Sequence, residues 1–296
     1  MPTITALTLY PVKSCAGIAL SEAEVTEMGL KSGGIGDREW MIVDHQGQFL
    51  TQREFPIMAT IRPSLTEHHL VLNAPTMSAL TLPIKRPLAT TYRPAMRQVQ
   101  VWDDTVMAED CGETANTWCS QLLGISCHLV RFHPDVQRRR ESQWLPGGVL
   151  TTLFSDGFPM LLVSQASLDD LNEKLTRHGN QAVPMNRFRP NIVIDGVAAF
   201  EEEYAASFTR ASTQIGTSSG QPEIILKPVK PCPRCPIPAV NQVTGEVEAN
   251  PVDMLLTYHT HALLDHAPTF GMNTIVAQGQ NHLIRVGDIL TVQIAF

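Results

Sequence analysis

Short hydrophobic runs, most of them bounded by proline, glycine or other turn residues, make up the pattern along this chain. The alternation of side chains from Ile4 to Tyr10 predicts a strand. Two pairs of runs with turn residues between them predict β-hairpins, at residues 41–50 and 283–294. Uninterrupted apolar runs at 160–163 and 192–194 are typical of buried strands. The chain is therefore expected to consist mainly of short strands.

Helical periodicity occurs in two places. Apolar residues recur at helical spacing over 115–123 and stop at Gly124, which predicts an amphipathic helix ended by glycine. A second helix is predicted over 168–175, with Ser167 as its N-cap and Gly179 at its end. Many short strands with two helices indicate the β-rich α+β class, with a β-barrel.

Length, composition and charge limit the functions that this fold can serve. The chain has 296 residues, which favours one large or two ordinary domains over a single small core. Hydrophobic residues make up 43% of the chain and charged residues 17%, as in soluble globular proteins. The net charge of −7 argues against nucleic acid as a partner, because phosphate binding needs a surplus of basic surface.

The location of the protein is predicted from what the sequence lacks. No apolar run reaches about 18 residues, and the N-terminus has no basic segment followed by an apolar core. Six cysteines in a chain of this length are too few for a disulfide scaffold. We therefore expect a cytoplasmic protein with no membrane partner.

The segment from Lys227 to Gly245 carries the most chemistry. It contains Cys232 and Cys235 in a C-x-x-C spacing, surrounded by four prolines. Proline fixes φ and cannot donate to a helix or a ladder, so the segment is expected to be a stiff, extended loop. Neighbouring cations, such as Arg234, favour the thiolate, which is the form that binds a metal or attacks an electrophile.

Spacing alone leaves the role of this cysteine pair open. Two buried thiols, a redox pair and half of a zinc site all fit a C-x-x-C. A structural zinc site needs four ligands, and the other cysteines form no second pair. A thioredoxin-like site places its pair at the start of a helix, which the prolines exclude. The remaining interpretation is a single thiolate that binds a group whose other ligands come from elsewhere.

Polar side chains at the ends of predicted strands are further candidates for a site. They are Lys13 and Ser14 after the first strand, Arg38 and Arg53 around the first hairpin, and Arg189 and Asn191 before the strand at 192–194. Each of them could equally be a solvated surface group. The basic run at 138–140 is expected to be a solvated loop, or a screen for an anionic ligand if it lies near one.

Seven motifs carry a resemblance to a known family. They are LYPVKS (9–14), GDREWMIVD (36–44), FLTQREFP (49–56), SDGFPMLLVSQASLDDLN (155–172), FRPNIVIDG (188–196), KPCPRC (230–235) and FGMN (270–273). In this order they resemble the MOSC family of molybdenum-cofactor proteins, in the branch of YcbX and the mitochondrial amidoxime-reducing component.

The resemblance implies a domain organisation and a set of site residues. An N-terminal MOSC-associated domain would span residues 1–125 and a MOSC β-barrel residues 126–296, with the molybdenum cofactor, Mo-molybdopterin, between them. The molybdenum ligand and catalytic residue would be Cys235. The residues matching the family's cofactor contacts are Lys13, Ser14, Arg38, Arg189, Asn191 and Arg234.

The resemblance also implies a reaction. A molybdenum-dependent oxidoreductase would reduce small N-hydroxylated compounds, such as hydroxylaminopurines, amidoximes and N-oxides, to the amine and water, which serves detoxification. The chain ends at Phe296 without the cysteine cluster of a fused iron–sulfur centre, so a separate ferredoxin- or flavoprotein-type electron donor is expected. The stretch 236–241 departs from the threonines and acidic residue usual in the family, which affects the substrate pocket.

Two other functions fit the same residues. The protein could carry sulfur or the molybdenum cofactor, with Cys235 as a persulfide or thiolate. It could also be a non-catalytic module with a buried thiol pair. Bound molybdenum separates the first two functions from the third, and turnover of an N-hydroxylated base separates the reductase from the carrier.

Overall fold

The computed structural model describes residues 1–86, 94–145, 148–212 and 222–295. These residues form 22 strands and three α-helices, which confirms the β-rich α+β class. The helices are α1 (Glu113–Leu123), α2 (Gln165–Arg177) and α3 (Pro251–Tyr258). The strands are β1 (Thr3–Leu9), β2 (Ile18–Leu20), β3 (Glu22–Thr26), β4 (Gly29–Ser32), β5 (Ile35–Gly36), β6 (Trp40–Asp44), β7 (Arg62–Leu65), β8 (His69–Asn73), β9 (Leu80–Pro83), β10 (Met96–Val101), β11 (Asp104–Asp110), β12 (Cys127–Phe132), β13 (Arg139–Glu141), β14 (Val149–Thr151), β15 (Met160–Ser164), β16 (Ile192–Asp195), β17 (Ala205–Arg210), β18 (Ile224–Pro233), β19 (Thr260–His261), β20 (Ala267–Gln278), β21 (His282–Arg285) and β22 (Thr291–Ile294).

The largest sheet has nine strands and positions the site. Its order is β2-β1-β16-β15-β20-β18-β17-β22, with β19 added to β20. Only β15 and β16 pair in parallel among these strands, and α2 connects them. Leu7, Ile192, Leu162, Met272 and Pro231 are register partners in one row across five adjacent strands. The C-terminal end of β1 and the N-terminal ends of β16 and β15 therefore lie together at the same end of the strands.

Strands from the two ends of the chain share sheets. β1, from the N-terminus, pairs with β16, and β21, from the C-terminal part, pairs with β3. One hydrophobic cluster accordingly contains Val25 and Ile284, which are both fully buried. The described strands outside the large sheet form smaller antiparallel sheets, with the orders β21-β3-β4-β5, β10-β11-β12-β6 and β7-β8-β9 and the pair β13-β14. The division at residues 125 and 126 stays a prediction.

The proline-rich cysteine segment begins as a strand, so the prediction of an extended loop over the whole segment was wrong. β18 reaches Pro233 and pairs with β20 along most of its length. On its other side it pairs with β17 only from Ile224 to Leu226. Beyond Leu226 no ladder forms on that side of the strand among the described residues, and the register with β20 shifts near Pro228 and Pro231. A missing N–H costs little at a free edge or a bulge, which is where strands accept proline.

One of the two predicted hairpins is confirmed. Val43 bridges Phe49 across the turn at 44–47, and the Asp44 N–H donates to the Gln48 carbonyl at 2.9 Å. The hairpin at 283–294 was wrong, because β21 pairs with β3 and β22 pairs with β17. The turn between them instead bonds the N-terminus, where the Gly287 N–H donates to the Ile4 carbonyl at 2.8 Å.

α2 and α3 begin where polar side chains satisfy their free N–H groups, whereas α1 begins at Gly112 without a side-chain cap. α2 is capped by Ser164, whose Oγ accepts from the Ser167 N–H at 3.1 Å, and not by Ser167 as predicted. Ser167 lies in the first turn and donates to the buried carboxylate of Glu202. α3 was missed, although Asn250 as N-cap followed by Pro251 is a recognisable helix start.

Candidate functional site

All seven residues that the sequence predicted for the site line one cavity of about 150 Å³. They come from the end of β1, the segment before β6, the segment before β16 and the turn after β18. The row across the large sheet explains why these distant positions meet. The role of each residue toward a cofactor stays a prediction, whereas their convergence is a feature of the fold.

Lys13 is held inside this cavity by a loop from the second half of the chain. Its side chain is only 6% exposed. Nζ donates to the Phe154 carbonyl at 2.9 Å and forms an ion pair with Asp156. Burial lowers the pKa of Lys13, and the carboxylate of Asp156 opposes that shift. Two of the three N–H donors of the ammonium are therefore engaged by the protein, and the third is left for a ligand in the cavity.

Arg138 explains the position of the loop that carries Asp156. The guanidinium of Arg138 is buried, pairs with Asp104 at 2.7 Å and donates to the carbonyls of Leu153 and Asp156 at 3.1 and 3.0 Å, and to that of Ser155. The prediction of a solvated basic loop was therefore wrong for this residue. A guanidinium has five N–H donors, which suits a turn whose carbonyl groups point to one place. These hydrogen bonds and the ion pair offset the free-energy cost of burying the charge.

Arg38 and Asn191 form a network beneath the cavity. Arg38 pairs with the buried Asp37 and donates from Nη1 to Asn191 Oδ1 at 3.0 Å. Asn191 Nδ2 donates to Asp37 Oδ1 at 2.9 Å and to the Thr8 carbonyl at 3.1 Å, and its Oδ1 also accepts from the Leu161 N–H. Every polar atom of the Asn191 side chain is thus engaged by the protein, so Asn191 acts by holding Arg38 in place.

Tyr10 brings the two central arginines together. The guanidinium carbons of Arg38 and Arg189 lie 4.5 and 4.4 Å from the centroid of the Tyr10 ring. A cation over an aromatic face is attracted by the quadrupole of the ring, which offsets part of the repulsion between the two arginines. Tyr10 was not singled out by sequence, although it belongs to the LYPVKS motif.

Two arginines that line the cavity each have a buried nitrogen without a hydrogen-bond partner among the described residues. These nitrogens are Nη2 of Arg189 and Nε of Arg234. Leaving a buried donor unsatisfied costs about 1–3 kcal/mol, and more for a charged group. Burial also lowers the pKa of Arg189. An anionic ligand would remove both costs, so these nitrogens indicate a binding site for an anion.

Backbone strain is concentrated at the same place. Ser14, Arg38 and Arg189 have φ values of +64°, +52° and +58°, in the left-handed region that disfavours side chains with a Cβ. Each such residue costs about 1–3 kcal/mol and persists where the surrounding structure imposes it. Three of the predicted site residues share this conformation, which is typical of a functional site.

The two cysteines of the C-x-x-C are placed differently. Cys232 accepts from Arg234 Nη1 at 3.2 Å and packs at the edge of the cluster around Phe188 and Phe270. Cys235 lies in the turn after β18; like Cys232 it is half-buried and lines the cavity. Arg234 is held further by its bond from Nη2 to the Phe188 carbonyl at 3.0 Å. Cys232 is thus engaged by its neighbour, and the thiol of Cys235 has no hydrogen-bond partner among the described residues.

Burial separates the remaining four thiols from this pair. Burial raises the pKa of Cys15 and of Cys111 to about 12, and raises those of Cys119 and Cys127 as well. We therefore expect an alkylating reagent at neutral pH to modify Cys232 and Cys235 in the folded, cofactor-free protein and to leave the other four unmodified. Peptide mass mapping after native labelling, with a denatured sample as the control, checks this. Rapid labelling of Cys15 would contradict the structure.

The donor chemistry of the cavity fits a molybdenum pterin cofactor. One half-buried thiol is available as a metal ligand, and no cluster of three or more His, Cys, Asp or Glu able to hold a metal occurs in the described parts of the chain. Unpartnered guanidinium nitrogens are available for a phosphate group. The cavity thus offers one protein thiolate together with several hydrogen-bond donors that could bind a phosphate. This combination suits a metal whose other ligands come from the organic part of its cofactor.

Comparison with known proteins agrees with this chemistry. Residues 1–126 match the MOSC N-terminal beta barrel domain, and residues 150–291 match the MOSC domain. The mitochondrial amidoxime-reducing component 1 of Mus musculus is 34% identical over 97% of this chain and 81% of its own length. This chain belongs to the MOSC family of the amidoxime-reducing components.

Other relatives of this MOSC protein are more distant. The molybdenum cofactor sulfurase of Homo sapiens is 30% identical over 82% of this chain, which corresponds to 27% of the sulfurase. The crystal structure of the YuaD protein from Bacillus subtilis aligns over 100% of this chain and 98% of its own, with 10% identity and a TM-score of 0.40, too low for an argument about fold. In the part of the MOSC protein that the structure describes, no helix is long and apolar enough to cross a membrane.

Two charged residues that line the cavity are not among the seven predicted site residues. Asp156 lies in the fourth motif, but a single carboxylate in a loop gave no signal of its own. Arg53 was noted only as weakly suggestive, and it lines the cavity as an exposed guanidinium.

Proposed function

We propose that this MOSC protein is a molybdenum-cofactor-dependent reductase that converts N-hydroxylated compounds to the amine and water. The observation that carries the proposal is the cavity itself. It combines one available thiol, Cys235, with the guanidinium groups of Arg189 and Arg234, which have no carboxylate partner among the described residues, in a chain that belongs to the family of the amidoxime-reducing components. The substrate classes are hydroxylaminopurines, amidoximes and N-oxides.

Some residues of the cavity would contact the cofactor directly, and others position the residues that make these contacts. Arg189 and Arg234 would bind its phosphate through their unpartnered nitrogens, with Lys13 and Ser14 alongside. The thiolate of Cys235 would ligate the metal. Arg38 is fixed toward the cavity by Asp37 and Asn191. When bound, the cofactor would supply the two-electron chemistry that removes the hydroxyl oxygen.

Each turnover consumes two electrons and two protons for one amine and one water. Lys13 Nζ is a buried ammonium at the cavity, and its lowered pKa makes release of its proton easier than from an exposed lysine. Asp156 lies in contact with it and stabilises the ammonium form. We assign the transfer of protons to Lys13, with replacement from solvent. Desolvation would raise the pKa of Asp156, but the charge of Lys13 lowers it, so Asp156 stays anionic and holds the ammonium.

The electrons are proposed to come from a separate ferredoxin- or flavoprotein-type partner. Four of the six cysteines have thiols whose pKa is raised by burial, and the other two are Cys232 and Cys235. A cytoplasmic location and a role in detoxification also remain proposals.

A carrier function is the second candidate, because one relative is named a molybdenum cofactor sulfurase. Cys235 would then carry a persulfide or present its thiolate to stored cofactor. A carrier would bind molybdenum or sulfur without turning over an N-hydroxylated base, so turnover distinguishes the two functions.

The protein purified from a host that makes the cofactor should contain one molybdenum and one pterin per chain. It should reduce an N-hydroxylated purine with reduced viologen and show no activity with NADH or NADPH alone, because no cluster or flavin would relay the electrons. Metal analysis, pterin fluorescence and product chromatography measure these results.

The matched control is protein from a host that cannot make the cofactor, which should be folded and inactive. Activity with a pyridine nucleotide in a preparation free of reductases would refute the need for a partner. Molybdenum-loaded protein that fails to reduce any N-hydroxylated compound would refute the reductase and favour the carrier.

A further inference from the structure

Arg53 differs from the other cations of the cavity in being exposed, and among the described residues it has no acidic partner. Lys13 pairs with Asp156, and Arg38 pairs with Asp37. Within the described residues no carboxylate lies within ion-pair distance of Arg53, whose side chain lines the cavity and is exposed. An arginine in this state keeps its donors for a ligand from solution.

Trp102 holds the guanidinium of Arg53 in place. The guanidinium carbon of Arg53 lies 4.8 Å from the centroid of the Trp102 ring, and the ring of Phe49 lies 5.1 Å from that of Trp102. Stacking on the indole restricts the rotamers of a long side chain that would otherwise move freely in solvent. Arg53 is therefore ordered before any ligand binds.

The backbone of Trp102 is strained to place the indole at this point. Trp102 occupies the turn between β10 and β11, where Val101 is the register partner of Asp104, and its φ is +56°. A bulky residue rarely adopts this conformation, and glycine is usual in such turns. The indole Nε1 donates to Asp156 Oδ1 at 2.9 Å, so the same ring contacts two residues that line the cavity. Trp102 as a whole is 37% exposed.

We propose that Arg53 is a specificity-determining residue that binds an anionic group, phosphate or carboxylate, on the N-hydroxylated substrate, with Trp102 as its positioning residue. The proposal rests on the proposed reductase function and narrows its substrate class. Buried cations such as Arg189, 8% exposed, suit a resident cofactor. An exposed guanidinium at the mouth suits a ligand that must exchange at every turnover.

The first test compares two ligands that differ by one phosphate. Adenosine and adenosine 5′-monophosphate are the products that reduction of the corresponding N6-hydroxylated compounds would give. Calorimetry with the cofactor-loaded protein should show that the monophosphate binds about tenfold more tightly than the nucleoside, as a charge-assisted contact predicts. In Arg53→Gln the ratio of the two dissociation constants should fall to about one, and in Arg53→Lys it should be intermediate.

Arg177→Gln is the matched control, since Arg177 is an exposed arginine on α2 and does not line the cavity. It should keep the tenfold ratio, which excludes a general effect of net charge. Molybdenum content should be the same in all variants. The ratio of kcat/KM for the two hydroxylated substrates should follow the ratio of affinities.

The second test concerns Trp102. Trp102→Ala should lower the preference for the monophosphate, and Trp102→Phe should restore most of it, because phenylalanine keeps a ring for the guanidinium. Failure of phenylalanine to restore the preference would refute positioning by stacking. Binding of the monophosphate should also quench the indole fluorescence of the unmodified protein, and Trp102→Phe should lack this change.

Two results would overturn the role of Arg53. Equal affinity of the unmodified protein for nucleoside and monophosphate would show that Arg53 binds no anion of the substrate. A loss of molybdenum in Arg53→Gln would make Arg53 a cofactor contact. The binding measurements do not need turnover, so an inactive protein would refute the reductase function without deciding this question.

Discussion

Cys235→Ser should abolish reduction of N-hydroxylated substrates while leaving the protein folded. The loss should exceed the roughly 10–100-fold that removal of an outer-shell partner of a metal ligand costs, because serine removes the proposed ligand itself. Cys235 is half-buried in a turn and makes no hydrogen bond in the described structure, so the free energy of unfolding should change by about 0.5 kcal/mol or less. Turnover with reduced viologen, the absorption spectrum of the metal and thermal unfolding measure the three effects.

Cys232→Ser is the matched control for this prediction. The Cys232 sulfur accepts a hydrogen bond from Arg234 at 3.2 Å, and a serine hydroxyl can accept the same bond. Cys232→Ser should therefore keep most of the activity. An active Cys235→Ser beside an inactive Cys232→Ser would reverse the assignment of the ligand.

Arg189→Ala should lower the cofactor content of the purified protein by about tenfold or more, as expected for loss of a charge-assisted, bidentate contact to phosphate. The variant removes the unpartnered Nη2 and a weak bond to Gln242 at 3.3 Å, together with the contact to Tyr10. The contact to the ring contributes about 0.5–2 kcal/mol, so the protein should remain folded. Molybdenum and pterin per folded chain, with the thermal midpoint, check the prediction.

Arg189→Lys is the control for charge, and it should recover only part of the cofactor because lysine lacks the planar fork. Arg38→Ala, which the sequence also suggests as a test of cofactor binding, is less suitable because it would destabilise the fold. It would leave the fully buried carboxylate of Asp37 without its cation, and such a loss destabilises by about 3–5 kcal/mol. Full cofactor content in Arg189→Ala would refute the proposed placement of the phosphate.

Local patterns in the sequence determine the elements that depend on their own residues. The strand at β1, the buried strands β15 and β16 and the helices α1 and α2 were all predicted, because alternation and helical periodicity record which face of an element is buried. The motif order indicated the seven residues that line the cavity, although their spacing along the chain does not place them together. The resemblance, and not the spacing, selected Cys235 over Cys232.

Pairing between distant segments was decided only by the tertiary structure. The runs at 283–294 look like a hairpin, but their strands have better partners in β3 and β17. The prolines of β18 look incompatible with a sheet, and they are tolerated because that stretch has one edge without a ladder among the described residues and register shifts near Pro228 and Pro231. Neither edge exposure nor register is encoded in a local window.

The fold likewise decided whether each charged side chain is buried in an ion pair or left free to bind a ligand. Arg138 lies in a run that reads as solvated, yet it is buried because Asp104 and three loop carbonyls converge on it. Arg53 looks like any surface arginine, and it becomes a candidate because the fold places it beside the cavity, next to an indole ring, with no carboxylate of the described residues within ion-pair distance. A sequence records which residues carry charge, whereas the free energy of a charge depends on the partners and solvent that the tertiary structure leaves to it.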